Sequence, residues 1–318
     1  MSLAWRPLTP DDAADWAALW TAIEDADGSE EYLSEQDLRE EFAKPGRDYP
    51  RGSMAIYDGG TMAGFGMLTC YGSADPVHDM RHSGGVHPAY RGRGLGGELL
   101  AWAERTAVPL HQDRHPGRPL ALSSGCLSRN AGAVALHEAR GYRPLRWFHS
   151  MFRDLSAPLP QLAVPAGVRL VGYTPDMAEH ARLVRNESFR DHWGSTQTSA
   201  DGWTHFLAHG AFRPGLSFLA YEGPEPLGML ISHEYDAYRD QTGLRDLHIA
   251  IVGTRAEGRK RGIATALLAT ALSAARAEHY DQASLRVDAE SLTGAVRLYE
   301  RVGFTVDNTW TAYQKHLR

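Results

Sequence analysis

The sequence predicts an α/β (α+β) protein made of two tandem copies of one domain, each a sheet flanked by helices. Three observations carry this. A glycine motif occurs twice, as Tyr90-Arg91-Gly92-Arg93-Gly94-Leu95-Gly96 and as Gly258-Arg259-Lys260-Arg261-Gly262-Ile263-Ala264, 168 positions apart. Other landmarks keep the same order at nearly the same spacing. Thr9-Pro10-Asp11 matches Thr174-Pro175-Asp176 at 165, and Tyr57-Asp58-Gly59 matches Tyr221-Glu222-Gly223 at 164. Gly132-Ala133-Val134 matches Gly294-Ala295-Val296 at 162, and Phe148 to Leu155 tracks Trp310 to Leu317 at that same 162. The length, 318 residues, suits two domains.

Each half reads helix, three strands, helix, strand, helix, strand. In the second, Asp176 to Phe189 has helical character with Thr174 as N-cap. Leu216 to Tyr221 and Leu227 to Tyr235 are strands around the turn Glu222-Gly223-Pro224-Glu225-Pro226, and Leu247 to Thr254 is a further strand. After Gly262 the apolar positions Ile263, Ala266, Leu267, Thr270, Ala271 and Ala274 recur at helical spacing. Ala283 to Val287 is a short strand, Thr293 to Val302 a helix ended by Gly303, and Thr309 to Gln314 the strand that closes the sheet. The first half repeats this order, with about six extra residues in the loop around His111 to Arg118. The halves are expected as contiguous domains over 1–155 and 168–318. The segment 156–167 joins them, and Pro158, Pro160 and Pro165 make it a stiff extended spacer.

With 43% hydrophobic residues each half can build a core of ordinary size. The formal charge of −6 argues against a nucleic-acid protein held by general electrostatics and favours cationic small-molecule partners. Two cysteines, Cys70 and Cys126, sit among apolar or small residues, which excludes a disulfide framework and fits a reducing cytoplasmic setting with inert buried thiols. The first residues lack a basic segment followed by an apolar run, and no apolar stretch reaches about 18 residues, so neither a signal peptide nor a membrane span is expected.

The glycine motif has a physical reading. A helix start exposes unpaired backbone N–H groups and the positive end of the helix dipole. Gly262 and Ala264 have little or no side chain, so phosphate oxygens can reach those amides, and Arg255, Arg259, Lys260 and Arg261 add positive charge. A Rossmann site would need Gly-x-Gly-x-x-Gly after the first strand and an acidic residue about 20 positions on; neither copy fits.

Together with Leu298-Tyr299-Glu300-Arg301-Val302-Gly303-Phe304, this motif resembles that of the Gcn5-related N-acetyltransferase (GNAT) superfamily, Arg/Gln-x-x-Gly-x-Gly/Ala. The resemblance spans both halves, and the tandem layout with a strand ending Ile251-Val252-Gly253-Thr254 is similar to mycothiol synthases. It implies a mixed, mostly antiparallel sheet whose fourth and fifth strands splay apart to admit acetyl-CoA as co-substrate. The pantetheine would meet the edge formed by Val252, Gly253 and Thr254. The pyrophosphate would meet the turn and helix start from Arg259, Lys260, Arg261 and Gly262 to Ile263, Ala264 and Thr265. The equivalent first-half positions are Gly84, Gly85 and Val86 with Gly92, Arg93, Gly94, Leu95, Gly96 and Gly97.

Acetyl transfer to an amine needs a deprotonated nucleophile, a stabilised oxyanion and a proton for the departing thiolate. The resemblance gives the last role to Tyr299, where the first half has His137. The family's strand base, counted back six residues from Thr254, falls on His248, while the same count from Val86 gives Met80. Glu234 is the reserve base and Asp246 a weaker one. The second half is therefore expected to be the catalyst, and the first a structural or acyl-CoA-binding partner. Asp191 and Trp193 are expected to hold an amine substrate by charge and stacking. The acidic run from Glu24 to Glu31 suits a cationic one. The expected activity is acetyl transfer to a primary amine of a small molecule by a monomer or homodimer, with no nucleic acid, membrane or metal involved. Acetylation of an amino-sugar cysteine conjugate and an acyl-CoA sensor without turnover are the alternatives.

Overall fold

The computed structural model describes residues 3–317 apart from 30, 45–46, 71–75, 161, 191, 193–194 and 292–293. The chain divides into two units. One comprises Met1–Phe148 with Asn308–Arg318, the other His149–Asp307.

In the first unit the chain runs through β1 (Ala4–Arg6), α1 (Ala13–Asp27), α2 (Glu35–Phe42) and the single turn α3 (Tyr49–Gly52). It continues through β2 (Ser53–Asp58), β3 (Thr61–Cys70), β4 (His78–Val86), α4 (Leu95–Arg114), β5 (Leu120–Leu127) and α5 (Ala131–Ala139) to the start of β6 (Arg143–Asp154). Local chemistry sets the helix starts. Ser34 accepts from the Asp37 N–H and the Asp37 carboxylate accepts from the Ser34 N–H, a reciprocal cap on α2. Strands β1 to β4 pair antiparallel in order, and β5 lies parallel to β4.

The second unit takes the end of β6, β7 (Val168–Gly172), α6 (Ala178–Ser188), α7 (Ala200–Leu207), β8 (Phe218–Glu222) and β9 (Glu225–His233). It then takes α8 (Asp236–Thr242), β10 (Asp246–Thr254), α9 (Ile263–Ala277), β11 (Gln282–Asp288) and α10 (Ala295–Arg301). Strands β7 to β10 are antiparallel in order, β11 is parallel to β10, and β6 lies beside β11. Gly223, with φ of +56°, makes the tight β8–β9 turn foreseen in the sequence. Its core gathers Leu227, Leu230 and Leu247 of the sheet, Leu267, Leu268 and Leu272 of α9, and Phe304.

The expected mixed, mostly antiparallel sheet is therefore present in both units, but the closing strands differ from expectation. The strand β12 (Thr305–Leu317) pairs antiparallel with β5, from Trp310 opposite Leu127 to Leu317 opposite Leu120, so residues 308–318 complete the first unit. The later half of β6 goes to the second unit. The partition thus departs from contiguous domains over 1–155 and 168–318. Phe148 to Leu155 and Trp310 to Leu317 share one residue pattern, so the pattern alone does not say which fifth strand each segment joins.

The wedge implied by the sequence is present twice. Strands β4 and β5 pair only from His78–Leu120 to Arg81–Ser123, and β10 and β11 only from Asp246–Gln282 to Ile249–Leu285. Beyond those rungs each parallel pair separates. In β10 a register shift between Ile249 and Ile251 marks a bulge, whereas β4 pairs with β3 without a shift from Met80 to Val86.

Candidate active site

At the second unit's wedge, α9 begins after Gly262 at φ +85°, and Lys260 is itself held at φ +61°. The first intrahelical bond is Ala266 N–H to the Gly262 carbonyl, 2.9 Å, so the N–H groups of Ile263, Ala264 and Thr265 have no acceptor inside the helix. A Cβ added to Gly262 would meet only Pro165 Cγ at 3.7 Å, which leaves an open cradle for an anion. The surrounding cations are not equivalent. Arg255 pairs with Glu187 and Arg261 with Glu222, Arg259 donates to the Ser188 carbonyl at 3.3 Å, and Lys260 has no partner among the described residues.

Three side chains meet where β10 and β11 are still paired. Ser284 donates its hydroxyl to Asp246 Oδ2 at 2.5 Å, and His248 Nδ1 lies 3.0 Å from the Ser284 Oγ. The other Asp246 oxygen accepts from Gln282 at 3.2 Å. With its single proton given to a carboxylate, Ser284 can only accept from His248, so Nδ1 carries the proton and Nε2 keeps a free lone pair. Burial, aided by the Arg286 charge, holds His248 at about 4, so the imidazole is neutral at pH 7.

Tyr299 is 8% exposed in the apolar cluster around α9 and α10, its ring 6.1 Å from Phe304 and 70° to it. Burial raises its phenol well above the ordinary value, so it keeps its proton at any working pH. Glu234, the reserve base, is not free to act. It is 5% exposed and bound by Arg213 at 2.9 Å, Arg245 at 3.0 Å and the Tyr280 hydroxyl at 2.6 Å. Burial alone would raise its carboxyl, but these donors outweigh burial and hold it at about 2. Glu234 is thereby corrected to a structural anion, and Asp246 to the anchor of Ser284. Asp191 and Trp193 lie outside the described residues.

The first unit contains a cavity of about 430 Å³ at its own wedge. Gly92 and Gly94 lie on one wall at φ +74° and +86°, and an added Cβ at either would meet nothing within 4 Å. Arg91 is held by both oxygens of Asp27, at 2.7 and 2.9 Å. Gly84, Gly85, Val86, Leu95, Gly96 and Gly97 also line the space, so the first-half positions chosen from the sequence surround one cavity, except Arg93, which donates to the Ala89 carbonyl. Trp310, on the last strand of the chain, forms part of the wall. Cys126 is another lining residue, and burial raises its thiol to about 11, well above reactivity. Sequence reasoning missed His82 and Ser124 in this cavity, while Glu24, which opens the acidic run read from the sequence, is one of its lining residues. Counting along the strand reached Met80, which is core, while the histidine two residues on was the available signal.

The acetyltransferase (GNAT) family matches residues 16–142 and again 182–304. A mycothiol acetyltransferase of Thermobispora bispora is 32% identical over 308 residues, covering 95% of each chain. One from Salinispora arenicola is 31% identical, covering 98% of this chain and 94% of its own. A GCN5-related N-acetyltransferase from Sphaerobacter thermophilus shares the fold at a TM-score of 0.78 with 26% identity, over 99% of this chain and 96% of that one. A tandem GNAT protein from the clavulanic acid biosynthesis pathway reaches 0.76 at 16% identity, a likeness of fold alone, over 99% of this chain and 98% of that one. Among the described residues no helix is long and apolar enough to cross a membrane. Two matched segments, two wedges and two glycine-started helices agree: the chain belongs to the acetyltransferase (GNAT) family, carries its fold twice, and is an acetyl-CoA-dependent N-acetyltransferase.

Proposed function

We propose that the protein transfers the acetyl group of acetyl-CoA to a primary amine of a small molecule, and that the second unit performs this reaction. The Asp246–Ser284–His248 chain at the fork of β10 and β11 is the observation that carries the reading. The open turn at Lys260 and Gly262 would hold the pyrophosphate against the N–H groups of Ile263 to Thr265. The edge of β10 past Ile249, left by β11, would take the pantetheine along Val252 to Thr254. Acetyl-CoA bound there supplies an activated thioester carbonyl.

The chain's own groups then divide the work. The bulge at 249–251 releases backbone N–H groups from the regular ladder, one of which would donate to the developing oxyanion near Val252. His248 Nε2 takes the proton of the attacking amine, directly or through one water. Being weakly basic, it acts as the amine bonds rather than by stripping an ammonium beforehand. Tyr299, kept protonated by burial, gives its proton to the departing sulfur.

Thiol release from acetyl-CoA across polyamines, aminoglycosides, amino sugars and arylamines tests the activity. A fall of at least about tenfold in that release in Gly262→Asp, and a much smaller change in Gly94→Asp, tests the assignment of the main activity to the second unit. Relatives at 31–32% identity over nearly the whole chain favour a second acceptor class, the amine of an amino-sugar cysteine conjugate. Turnover of that conjugate and of no simpler amine would select it.

A further inference from the structure

We propose that the first unit is a second acyl-transfer site, in which His82 Nε2 accepts the proton of an attacking amine. The proposal rests on reading both glycine turns as acyl-CoA cradles. What it adds is a working acid–base chain in the half that lacks both the tyrosine and the strand base of its sister.

Hydrogen bonds fix the proton positions. His137 Nδ1 stands 2.8 Å from the Ala133 carbonyl, which can only accept, so Nδ1 carries the proton. Burial lowers His137's affinity for a second proton, so its Nε2 is an acceptor and takes the Ser124 hydroxyl proton at 3.0 Å. Ser124 then has none left to donate, and the 3.3 Å contact from His82 Nδ1 is an N–H giving to Ser124 Oγ. The remaining nitrogen, His82 Nε2, is a bare lone pair. It is buried without a hydrogen-bond partner on a residue 6% exposed, and that residue lines the cavity. The strands give it room. A Cβ on Gly84 would stand 2.9 Å from Nε2, and one on Gly66 3.3 Å.

The position is also apt. The last rung between β4 and β5 is Arg81–Ser123, so His82 and Ser124 are the first residues past the fork. In the second unit the corresponding histidine–serine pair, His248 and Ser284, lies one rung before the last, Ile249–Leu285. The same device therefore occurs in both units, displaced by two residues along each strand. The ring of His137 is stacked on Tyr313, 4.8 Å between centroids at 18°, so the chain's last strand steadies the relay.

Glu24, which also lines the cavity, accepts from Ser29 and from the Glu31 N–H at 3.0 Å. The fitting acceptor is a small primary amine that arrives as an ammonium. It gives its first proton to the Glu24 carboxylate. Its nitrogen then bonds to the thioester carbonyl carbon and passes its second proton to His82 Nε2. As the carbon–sulfur bond breaks, the thiolate takes that proton from His82, and Glu24 returns its own to solvent. Burial raises the Glu24 carboxyl to about 7, in balance with such an exchange at neutral pH.

The test uses the full chain with Gly262→Asp, which closes the second cradle. Calorimetry with acetyl-CoA should then find one bound equivalent, and thiol release with spermidine, glucosamine or an aminoglycoside should persist. Adding His82→Ala should lower kcat by about 10²-fold or more with acetyl-CoA affinity unchanged. Ser124→Ala, which disturbs packing less, should lower kcat by about tenfold with KM held. Imidazole ¹⁵N NMR of the unmodified chain should show His82 protonated on Nδ1 alone and lose that signature in Ser124→Ala. One bound equivalent with no thiol release, turnover indifferent to His82→Ala, or a proton on His82 Nε2 would each overturn the proposal. Binding of no acetyl-CoA at all by the unmodified chain would instead overturn the cradle reading on which both sites rest.

Discussion

The Ser284 hydroxyl donates to Asp246 at 2.5 Å, and this bond decides which nitrogen of His248 is basic. Neither residue need touch an acceptor amine to matter. Removing the hydroxyl lets the imidazole shift its proton to the working nitrogen. Ser284→Ala should therefore reduce kcat by about tenfold while acetyl-CoA binding stays as it was, and Ser284→Thr should restore most of the loss. His248→Ala should cost more, about 10²-fold. Steady-state kinetics with binding measured separately checks both.

Tyr299→Phe removes one buried hydroxyl and leaves the ring against Phe304. Turnover should fall by about 10- to 100-fold with acetyl-CoA affinity nearly unchanged, because only the proton for sulfur is lost. Weakened binding at normal turnover would mean that the tyrosine only packs.

Glu234 offers a contrast of stability with chemistry. Glu234→Ala would leave Arg213 and Arg245 facing each other beside the Tyr280 hydroxyl without their shared anion. Urea unfolding should show a loss of about 3 kcal/mol, while kcat per folded molecule should not change. A collapse of kcat in the folded fraction would return Glu234 to the role of base.

Stability should depend on pH in two opposite senses. His82 and His248 are held at about 4 against an unfolded value of 6.5, so the unfolded chain binds more protons between those limits. Stability should fall as pH drops from 6.5 towards 4, and His248→Asn and His82→Asn should each flatten that slope. Glu24 runs the other way, its carboxyl raised by burial from 4.5 to about 7. The stability it contributes is present below 4.5 and lost as pH rises through 7. Glu24→Gln should accordingly be more stable than the parent at pH 8, by on the order of 2 kcal/mol, and no more stable at pH 4.5. Thermal unfolding at the two pH values checks the sign.

The repeat, the helix starts at Gly94 and Gly262, and the strand positions were legible because they depend on residues close in sequence. The exchange of closing strands was not, since β6 and β12 carry one pattern and pattern alone cannot say which edge each one takes. His248 could be found by counting along a strand, but its tautomer depends on Ser284, 36 residues away and opposite it only through the parallel register. Glu234 had the right type for a base, and only long-range pairing with Arg213 and Arg245 disqualifies it. His82 escaped because the count from Val86 stopped at Met80, whose side chain is core. Its partner Ser124 lies on the next strand, where no local spacing could connect them.

Thiol release from acetyl-CoA in the presence of an acceptor amine, compared between the unmodified chain and Gly262→Asp, tests the central claim most directly. The second unit as principal catalyst requires a fall of at least about tenfold, down to the rate that the first unit alone supports. Equal rates in the two proteins, with both folded, would contradict it.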